Sequence, residues 1–342
     1  MKIKYCISVV LIVSFVLFNC EEDENQVQTV PARDRSEQQL IDLDTLHNYL
    51  NTHYYNSGQL NDLSVYPSIS DIEISKLNDD EILPDNTTFL IDAVEEMHTT
   101  YEDVDYTYYL LKIRNGEGEH PNFTDQVRVN YDGFLTNNVS FDESVTSLDI
   151  DLAFSIAGWN RVLPQFKTAS QYSINSDGTV NFENYGLGVM FLPSGLSYFN
   201  VSQSGIPSYS CLIFKFELQQ YKVMDHDNDY IPSYLEDVNG DIEILDDNTD
   251  NDQFSNFLDT DDDGDGFSTY REVIAVDFTD TSLEGLETQM QVLEPLDSDQ
   301  FFTPLAVAED GTFSVKLITL EDTNGNGIPN YLDVNDTGTL DN

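Results

Sequence analysis

Apolar residues recur at helical spacing near the N-terminus, at Leu40, Leu43, Leu46, Tyr49 and Leu50. Residues at this spacing share one face of a helix, so the run predicts an amphipathic helix over residues 36–54. Ser36 is the candidate N-cap, with Gln39 three residues later. Residues 56–104 show no sustained period and are rich in Asn, Asp and Ser, which predicts loops with short elements.

The pattern changes between residues 105 and 223. Short alternating or apolar runs, separated by Gly, Asn and Asp, predict strands at 107–113, 127–135 and 211–223. One segment, 162–170, is predicted to be a short helix, because Pro164 is tolerated in a first turn. We therefore predict a β-rich domain over 105–223, preceded by a helical and irregular extension over 36–104.

From Asp225 onward the composition shifts sharply to Asp and Asn, which predicts a separate acidic region over residues 224–342. Within it, residues 275–320 are predicted to form a small β insertion. The whole chain carries 14 basic and 63 acidic residues, a formal charge of −49. This charge repels nucleic acid and excludes it as a partner, whereas cations are natural partners.

The first residues are typical of an export signal. Lys2 and Lys4 precede an apolar run from Ile7 to Phe18 that is too short for a membrane span, which predicts a signal peptide over 1–19. Cys20 and the acidic residues after it resemble the lipobox of a bacterial lipoprotein. The resemblance implies a lipid on Cys20, a tether over 20–35 and an outer-membrane protein that faces the periplasm or the cell surface. A plain signal peptide or an uncleaved anchor is the alternative.

After such processing Cys211 is the one remaining thiol, so no intramolecular disulfide can form. The five histidines are scattered along the sequence, so neither a zinc site nor a Ser/His catalytic triad can be assembled from sequence spacing. Because 14 basic residues cannot neutralise 63 acidic ones, bound metal or counterions must neutralise the excess carboxylates.

Four ordered segments of the β-rich region carry a family resemblance: VRVNYDGFLTNNVSFDES (127–144), GWNRVLPQF (158–166), GVMFLPSGLSYF (188–199) and IPSYSCLIFKFEL (206–218). Together they resemble the FKBP-type peptidyl-prolyl cis-trans isomerases over about a third of the chain. The resemblance implies an α+β fold: an antiparallel sheet of five or six strands curled around a short helix. The acidic C-terminal region is expected to be rich in loops and to bind calcium.

The resemblance also implies an apolar pocket with polar tips, formed by Tyr131, Phe141, Asp142, Val162, Leu163, Phe166, Tyr198, Ile206 and Phe214. Phe166 is expected on its floor, where Trp is usual in the family, and Trp159 is expected in a loop. Phe199 follows the tyrosine turn in place of the usual Gly, and residues 171–185 look like an insertion, so a remodelled rim is expected.

Prolyl isomerisation in such a pocket needs no nucleophile and no cofactor. A twisted amide is less dipolar than a planar one, so a dry apolar pocket favours it. The hydroxyl of Tyr198 is expected to bond a substrate carbonyl, with Asp142 oriented by Tyr131 and the Leu163 N–H holding the chain in register. The expected partners are proline-containing polypeptides.

The acidic region contains four twelve-residue windows with oxygen ligands at positions one, three, five and twelve: 225–236, 248–259, 261–272 and 322–333. The third matches the calcium loop D-x-D-x-D-G-x5-E. The predicted ligands are Asp225, Asp227, Asp229, Glu236, Asn248, Asp250, Asp252, Asp259, Asp261, Asp263, Asp265, Glu272, Asp322, Asn324, Asn326 and Asp333.

The first and fourth windows share I-P-x-Y-L at positions seven to eleven, which marks an internal repeat. The windows resemble thrombospondin type 3 calcium repeats, which implies a structural role for Ca²⁺. A disordered, solvated acidic run is the alternative. Two functions follow from the sequence: an isomerase that assists folding of exported proteins, or a non-catalytic peptide- or protein-binding module that uses the same pocket.

Overall fold

The computed structural model describes residues 31–61, 66–144 and 146–336. The chain divides into two units, Met1–Ala32 and Arg33–Asn342. The predicted signal peptide, Cys20 and most of the predicted tether lie outside the described residues. Within the described ranges, no helix is both long and apolar enough to cross a membrane.

The helix predicted near the N-terminus is confirmed as α1 (Arg35–Thr52). Its N-cap is Asp34, not Ser36, because the Asp34 carboxylate accepts the Glu37 N–H at 3.0 Å. The residues between α1 and residue 90 form a small sheet in the order β2-β1-β3. Its strands are β1 (His53–Tyr55), β2 (Ile74–Lys76) and β3 (Thr88–Phe89), and a short helix, α2 (Ser57–Leu60), follows β1.

The middle of the chain is built from antiparallel strands: β4 (Glu95–Tyr101), β5 (Val104–Arg114), β6 (Gln126–Leu135), β7 (Ser140–Glu143), β8 (Leu148–Asp151), β9 (Gln171–Ile174), β10 (Val180–Glu183), β11 (Gly186–Leu192) and β12 (Leu212–Lys222). Strands β9 and β10 form a hairpin of their own. The others form a seven-stranded sheet in the order β4-β5-β11-β12-β6-β7, with β8 also paired to β6.

The prediction of five or six strands is therefore wrong, because the sheet contains a seventh strand, β4, at its edge. Residues 95–101 were assigned to the irregular extension because their sequence, EEMHTTY, lacks an apolar alternation. They pair with β5 through a tight turn in which Glu102 and Asp103 have φ of 50° and 60°. An edge strand that buries little apolar surface carries no periodic signal, so pairing alone defines it.

The predicted helix at 162–170 is also displaced. Helix α3 runs from Ala157 to Val162 and is followed by a 3₁₀ turn, Leu163–Gln165. Pro164 has no N–H with which to continue an α-helix, so it lies just beyond the end of α3 and not in its first turn. Helix α3 therefore begins five residues earlier in the chain than predicted, next to the pocket described below.

The seven-stranded sheet is covered on both faces. Tyr106, Tyr108 and Leu110 of β5 pack with α3 on one face, while Tyr109 and Leu111 pack with α1 on the other. Alternate residues of a strand point to opposite faces, which explains why every residue of the central strand β11 is buried.

Beyond β12, the first three acidic windows are followed by a second sheet in the order β13-β16-β14, with β15 paired to β16. Its strands are β13 (Val273–Asp280), β14 (Gln300–Phe302), β15 (Ala306–Val307) and β16 (Phe313–Leu320), and helix α4 (Leu283–Gln291) lies between β13 and β14 in the chain. The predicted β insertion between the third and fourth windows is thus confirmed. Ile231 and Tyr331, from the first and fourth windows, pack against Val273 and Ile318 of this sheet.

Asp42 fixes α1 to the sheet domain, and we expect Asp42→Ala to lower the free energy of unfolding by about 2 to 3 kcal/mol. Its buried carboxylate accepts the Ser194 N–H at 2.8 Å, the Ser194 hydroxyl at 2.6 Å and the Gln38 amide at 2.7 Å. The substitution leaves these buried donors unpaired. Urea unfolding measures the change, and exposed Asp44→Ala on the same helix is the control. Equal effects of both variants would contradict the tethering role.

Candidate functional site

A cavity of about 540 Å³ opens on the α3 face of the main sheet. It is lined mostly by aromatic and aliphatic side chains, with a few polar groups: Tyr131, Phe141, Asp142, Ile150, Phe154, Ser155, Ile156, Trp159, Tyr198, Gln203, Ser204, Ile206 and Phe214. The structure thus brings together most of the predicted pocket residues, namely Tyr131, Phe141, Asp142, Tyr198, Ile206 and Phe214.

The aromatic wall is held by edge-to-face contacts between neighbouring elements. The ring centroid of Trp159 in α3 lies 5.1 Å from that of Phe214 in β12 and 5.5 Å from that of Tyr131 in β6. The ring centroid of Phe141 in β7 lies 5.5 Å from that of Phe214. Such contacts favour one ring arrangement over others. Gly133 makes room for them, because a Cβ there would lie 2.7 Å from the Phe141 ring.

One hydrogen bond organises the polar side of the cavity. The Tyr131 hydroxyl donates to Asp142 Oδ2 at 2.6 Å. Burial, followed by this hydrogen bond and the charge of Asp142, raises the pKa of the Tyr131 phenol. Burial and then the same carboxylate raise the pKa of Tyr198. Both phenols therefore remain protonated donors at neutral pH, and Tyr131 orients the Asp142 carboxylate.

Val162, Leu163 and Phe166 were predicted in the pocket, but the structure places them in the core beneath it, fully buried. Phe166 packs edge-on against Phe216 at 4.9 Å. The Leu163 N–H bonds the Trp159 carbonyl at the end of α3, so it is not available to hold a substrate. These predictions are wrong because the helix begins earlier than expected. Val162 is its last residue, and Leu163 and Phe166 follow it in the core.

Sequence reasoning missed Trp159, Ile156 and Phe154 as lining residues. Trp159 takes the floor position that had been given to Phe166, and Ser155 and Ile156 take the place just before the helix. The signal was present in the run S-I-A-G-W, in which apolar Ile156 and Ala157 precede the chain's single Trp. Reading that run as the start of a helix would have placed these residues correctly.

The expected remodelling of the rim does not reach the cavity. Phe199 has φ of 48°, a left-handed conformation that favours glycine, and is nearly buried against Tyr209, with ring centroids 5.3 Å apart. Neither Phe199 nor the β9–β10 hairpin belongs to the cavity lining. The cavity therefore keeps its aromatic wall despite both departures from the family pattern.

The four acidic windows share one backbone arrangement that the sequence did not reveal. In each, the position-two N–H donates to a buried side-chain oxygen at position nine: His226 to Ser233, Thr249 to Asn256, Asp262 to Thr269 and Thr323 to Asn330. In each, positions nine to eleven form a 3₁₀ turn: Ser233–Leu235, Asn256–Leu258, Thr269–Arg271 and Asn330–Leu332. The internal repeat of the sequence is therefore also a repeat of structure.

Carboxylates gather in three groups, in each of which one oxygen per residue lies within 4.8 Å of the others: Asp227, Asp229, Glu236 and Asp262; Asp250, Asp252 and Asp259; Asp261, Asp263 and Asp265. Glu272, predicted with the third group, is buried with Oε1 unpaired among the described residues. Burial, and then the charge of Asp263, raises the pKa of Glu272 to about 8. Such oxygen-only groups suit a hard cation such as Ca²⁺.

Other predicted ligands lie outside these groups. Asp225 accepts the Asn228 N–H at 2.8 Å and thereby shapes the first loop. The Asn248 side-chain amide donates a hydrogen bond to the Asp252 backbone carbonyl at 3.4 Å. In the fourth window, Asp322 accepts backbone N–H groups, and the Asn324 and Asn326 amides both donate to Asp333 Oδ2, at 2.9 and 2.7 Å. The fourth window thus closes on itself with only two carboxylates.

A further loop of the same kind, at 237–247, was missed. Asp237 accepts the Gly240 N–H at 2.8 Å and the Asp241 N–H at 3.1 Å, as Asp225 and Asp322 accept the matching N–H groups of their loops. Asp247 accepts the position-two N–H, that of Val238, at 3.1 Å. The signal was the spacing D-x-N-G-D at 237–241, which lacks an acidic residue at position twelve.

Comparison with known proteins gives matches to parts of the chain. A family model described as BamM C-terminal matches residues 226–290. Over 110 residues the chain is 32% identical to the FKBP-type peptidyl-prolyl cis-trans isomerase FkpA of Escherichia coli K12, which covers 32% of this chain and 36% of FkpA. FkpA of the O6:H1 and O157:H7 strains matches equally. The chain therefore spans about a third of the length of the curated relatives it matches.

Solved structures with similar segments include a peptidyl-prolyl cis-trans isomerase of Pseudomonas syringae pv. tomato DC3000, with 21% identity and a TM-score of 0.30 over 38% of this chain and 80% of that one. FkpA of Escherichia coli has 26% identity and a TM-score of 0.30 over 38% of this chain and 51% of that one. On the sequence match, about a third of the chain is distantly homologous to an FKBP-type peptidyl-prolyl cis-trans isomerase.

Proposed function

We propose that the protein is a peptidyl-prolyl cis-trans isomerase that assists the folding of exported proteins, and that the aromatic cavity binds the proline segment. The observation that carries this proposal is the cavity: rings from three strands and α3 surround a space that contains one oriented Tyr–Asp pair. The distant homology to FkpA supports the same reaction class.

Prolyl isomerisation needs only an apolar environment and a few hydrogen-bonding groups from such a site. Rotation about an X-Pro bond crosses a barrier of about 18 to 20 kcal/mol because the twisted amide loses its resonance. The twisted amide is also less polar than the planar one, so transfer from water to an aromatic cavity favours the transition state. Trp159 supplies the floor, Phe141 and Phe214 supply the wall, and the Tyr198 hydroxyl can donate to a substrate carbonyl. No proton is transferred.

A refolding reaction that is limited by proline isomerisation tests the proposal. We expect the full chain to accelerate the slow phase in proportion to its concentration. A chain that binds proline-containing peptides in the cavity without changing this rate would instead be a non-catalytic binding module. Absence of both binding and acceleration would contradict any role for the cavity in recognising proline.

Tyr131→Phe is expected to lower kcat/KM by about 3- to 10-fold, because a hydrogen bond is worth roughly 0.5 to 1.5 kcal/mol. The variant keeps the ring that packs against Trp159 but removes the hydroxyl that holds Asp142. A coupled peptide isomerisation assay measures the change. The control is Tyr185→Phe, which loses a hydroxyl bonded to the Pro67 carbonyl outside the cavity. Equal activity of both variants would exclude an orienting role for Tyr131.

We also propose that the acidic loops bind Ca²⁺ as a structural ion and that the protein is exported and anchored in the outer membrane through lipid on Cys20. Two features of the described chain support the calcium proposal. The loops repeat one backbone arrangement, and buried carboxylate oxygens such as those of Asp227 and Asp261 include atoms without a hydrogen-bond partner among the described residues. Support for export is the short apolar run that precedes Cys20.

A further inference from the structure

We propose that Asp227, Asp229 and Glu236 of the first acidic loop and Asp262 of the third loop hold one shared Ca²⁺ ion. This cross-loop site rests on the proposal that the acidic region binds calcium, and it adds a ligand that the twelve-residue pattern does not contain. Asp262 stands at position two of its loop, where the other windows have His226, Thr249 and Thr323.

The four carboxylates converge although they belong to different loops. One oxygen from each lies within 4.8 Å of the others. Asp229 and Glu236 have no exposed surface, and Asp262 is 1% exposed. Both carboxylate oxygens of Asp227, Glu236 and Asp262, and Oδ2 of Asp229, accept no hydrogen bond from the part of the chain that the structure describes.

Buried carboxylate oxygens without partners are costly unless a cation neutralises them. Among the described residues, none of these four side chains forms an ion pair with Lys, Arg or His. Carboxylates this close repel one another when they are ionised, and a divalent ion that binds between them relieves the repulsion.

The donor set favours calcium over other metals. It consists of carboxylate oxygens, whereas structural zinc sites use Cys and His. Ca²⁺ accepts six to eight oxygens and tolerates irregular geometry, including carboxylates that bind through one or both oxygens. The backbone holds Asp262 in place, since its N–H donates to Thr269 Oγ1 at 3.3 Å. The Asp262 carboxylate lies with the carboxylates of the first loop, whereas Asp261, Asp263 and Asp265 form a group of their own.

A shared ion would tie the first loop to the third and enclose the second loop between them. Tyr331 of the fourth loop is 4% exposed and packs with Ile231 of the first loop. The fourth loop therefore also contacts the loop that supplies three of the four carboxylates.

Counting bound Ca²⁺ on the full chain by native mass spectrometry and calorimetric titration tests the inference. Asp262→Asn is expected to bind one ion fewer than the wild type, as is Glu236→Gln. The double variant is also expected to lose only one, because both residues serve the same ion. Combining Asp262→Asn with Asp265→Asn, from the third loop's own group, is expected to lose two. Exposed Asp299→Asn is the control and keeps the wild-type count.

An unchanged count for Asp262→Asn, or a loss of two ions from the Asp262 and Glu236 double variant, would overturn the shared site while leaving calcium binding by single loops intact. A wild-type chain that binds no Ca²⁺ would overturn the calcium proposal itself. Fluorescence of Trp159, the chain's single tryptophan, verifies that each variant keeps the folded pocket domain. A loss of ions with unaltered fluorescence is therefore not caused by unfolding of the pocket domain.

Discussion

Replacing Phe141 with alanine is expected to lower kcat/KM for isomerisation of a proline-containing peptide by about 10- to 100-fold, since loss of an aromatic contact is worth roughly 1.5 to 3 kcal/mol. Phe141 lies on the short strand β7 and presents its ring to the cavity, with one edge contact to Phe214 at 5.5 Å. Because the ring is only partly buried, its removal affects the pocket wall more than the core. The coupled peptide assay measures kcat/KM directly.

Tyr172→Ala is the matched control for this substitution. It also removes an aromatic ring from a short strand, but Tyr172 is 60% exposed on the β9–β10 hairpin and does not line the cavity. Its rate is expected to equal that of the wild type. If Phe141→Ala and Tyr172→Ala both retain full activity while both fold, the aromatic cavity is not where isomerisation occurs.

Removal of calcium with EDTA is expected to unfold the acidic region and to increase protease cleavage between residues 225 and 335. Each bound ion stabilises the folded state by about 1.4 to 2.7 kcal/mol when free calcium exceeds Kd by 10- to 100-fold. Several loops lose this contribution together, and their buried carboxylates then repel one another. Melting curves and limited proteolysis with and without EDTA measure the change, and readdition of CaCl₂ is expected to reverse it.

The same experiment reports on contact between the acidic region and the pocket. Phe154, a lining residue, packs against His226 of the first loop at 5.6 Å and Phe257 of the second loop at 5.8 Å. His226 also contacts Asp151 at 3.1 Å. A modest fall in isomerase activity is therefore expected to accompany unfolding of the loops. Melting and cleavage that are indifferent to EDTA would contradict the structural role of calcium.

Local patterns predicted those elements whose signal lies within one segment. Helix α1 follows from its apolar spacing, and strands β5, β6 and β12 follow from their apolar runs. Strand β4 was missed because it is mostly exposed and owes its existence to pairing with β5. The small N-terminal sheet was missed for a related reason, since its strands are only two or three residues long.

The candidate pocket was predicted in part. Tyr131, Phe141 and Phe214 were assigned to the pocket through the family resemblance, and all three line the cavity on strands β6, β7 and β12. The residues around α3 were misplaced because the start of a helix is harder to read than its existence, and a shift of five residues exchanged Trp159 for Phe166. One misplaced helix start therefore changed the expected pocket floor.

The sequence by itself determined the repeated acidic loops, because the repeated Asp, Asn and turn residues that shape each loop lie within twelve residues of one another. It also determined the alternating strands of the pocket domain for the same local reason. Only the tertiary structure decided which carboxylates meet, since Asp262 reaches Asp227, Asp229 and Glu236 across loops that are distant in the chain. It alone decided that Phe154 joins the pocket to the acidic region, because such contacts depend on packing between segments that share no local pattern.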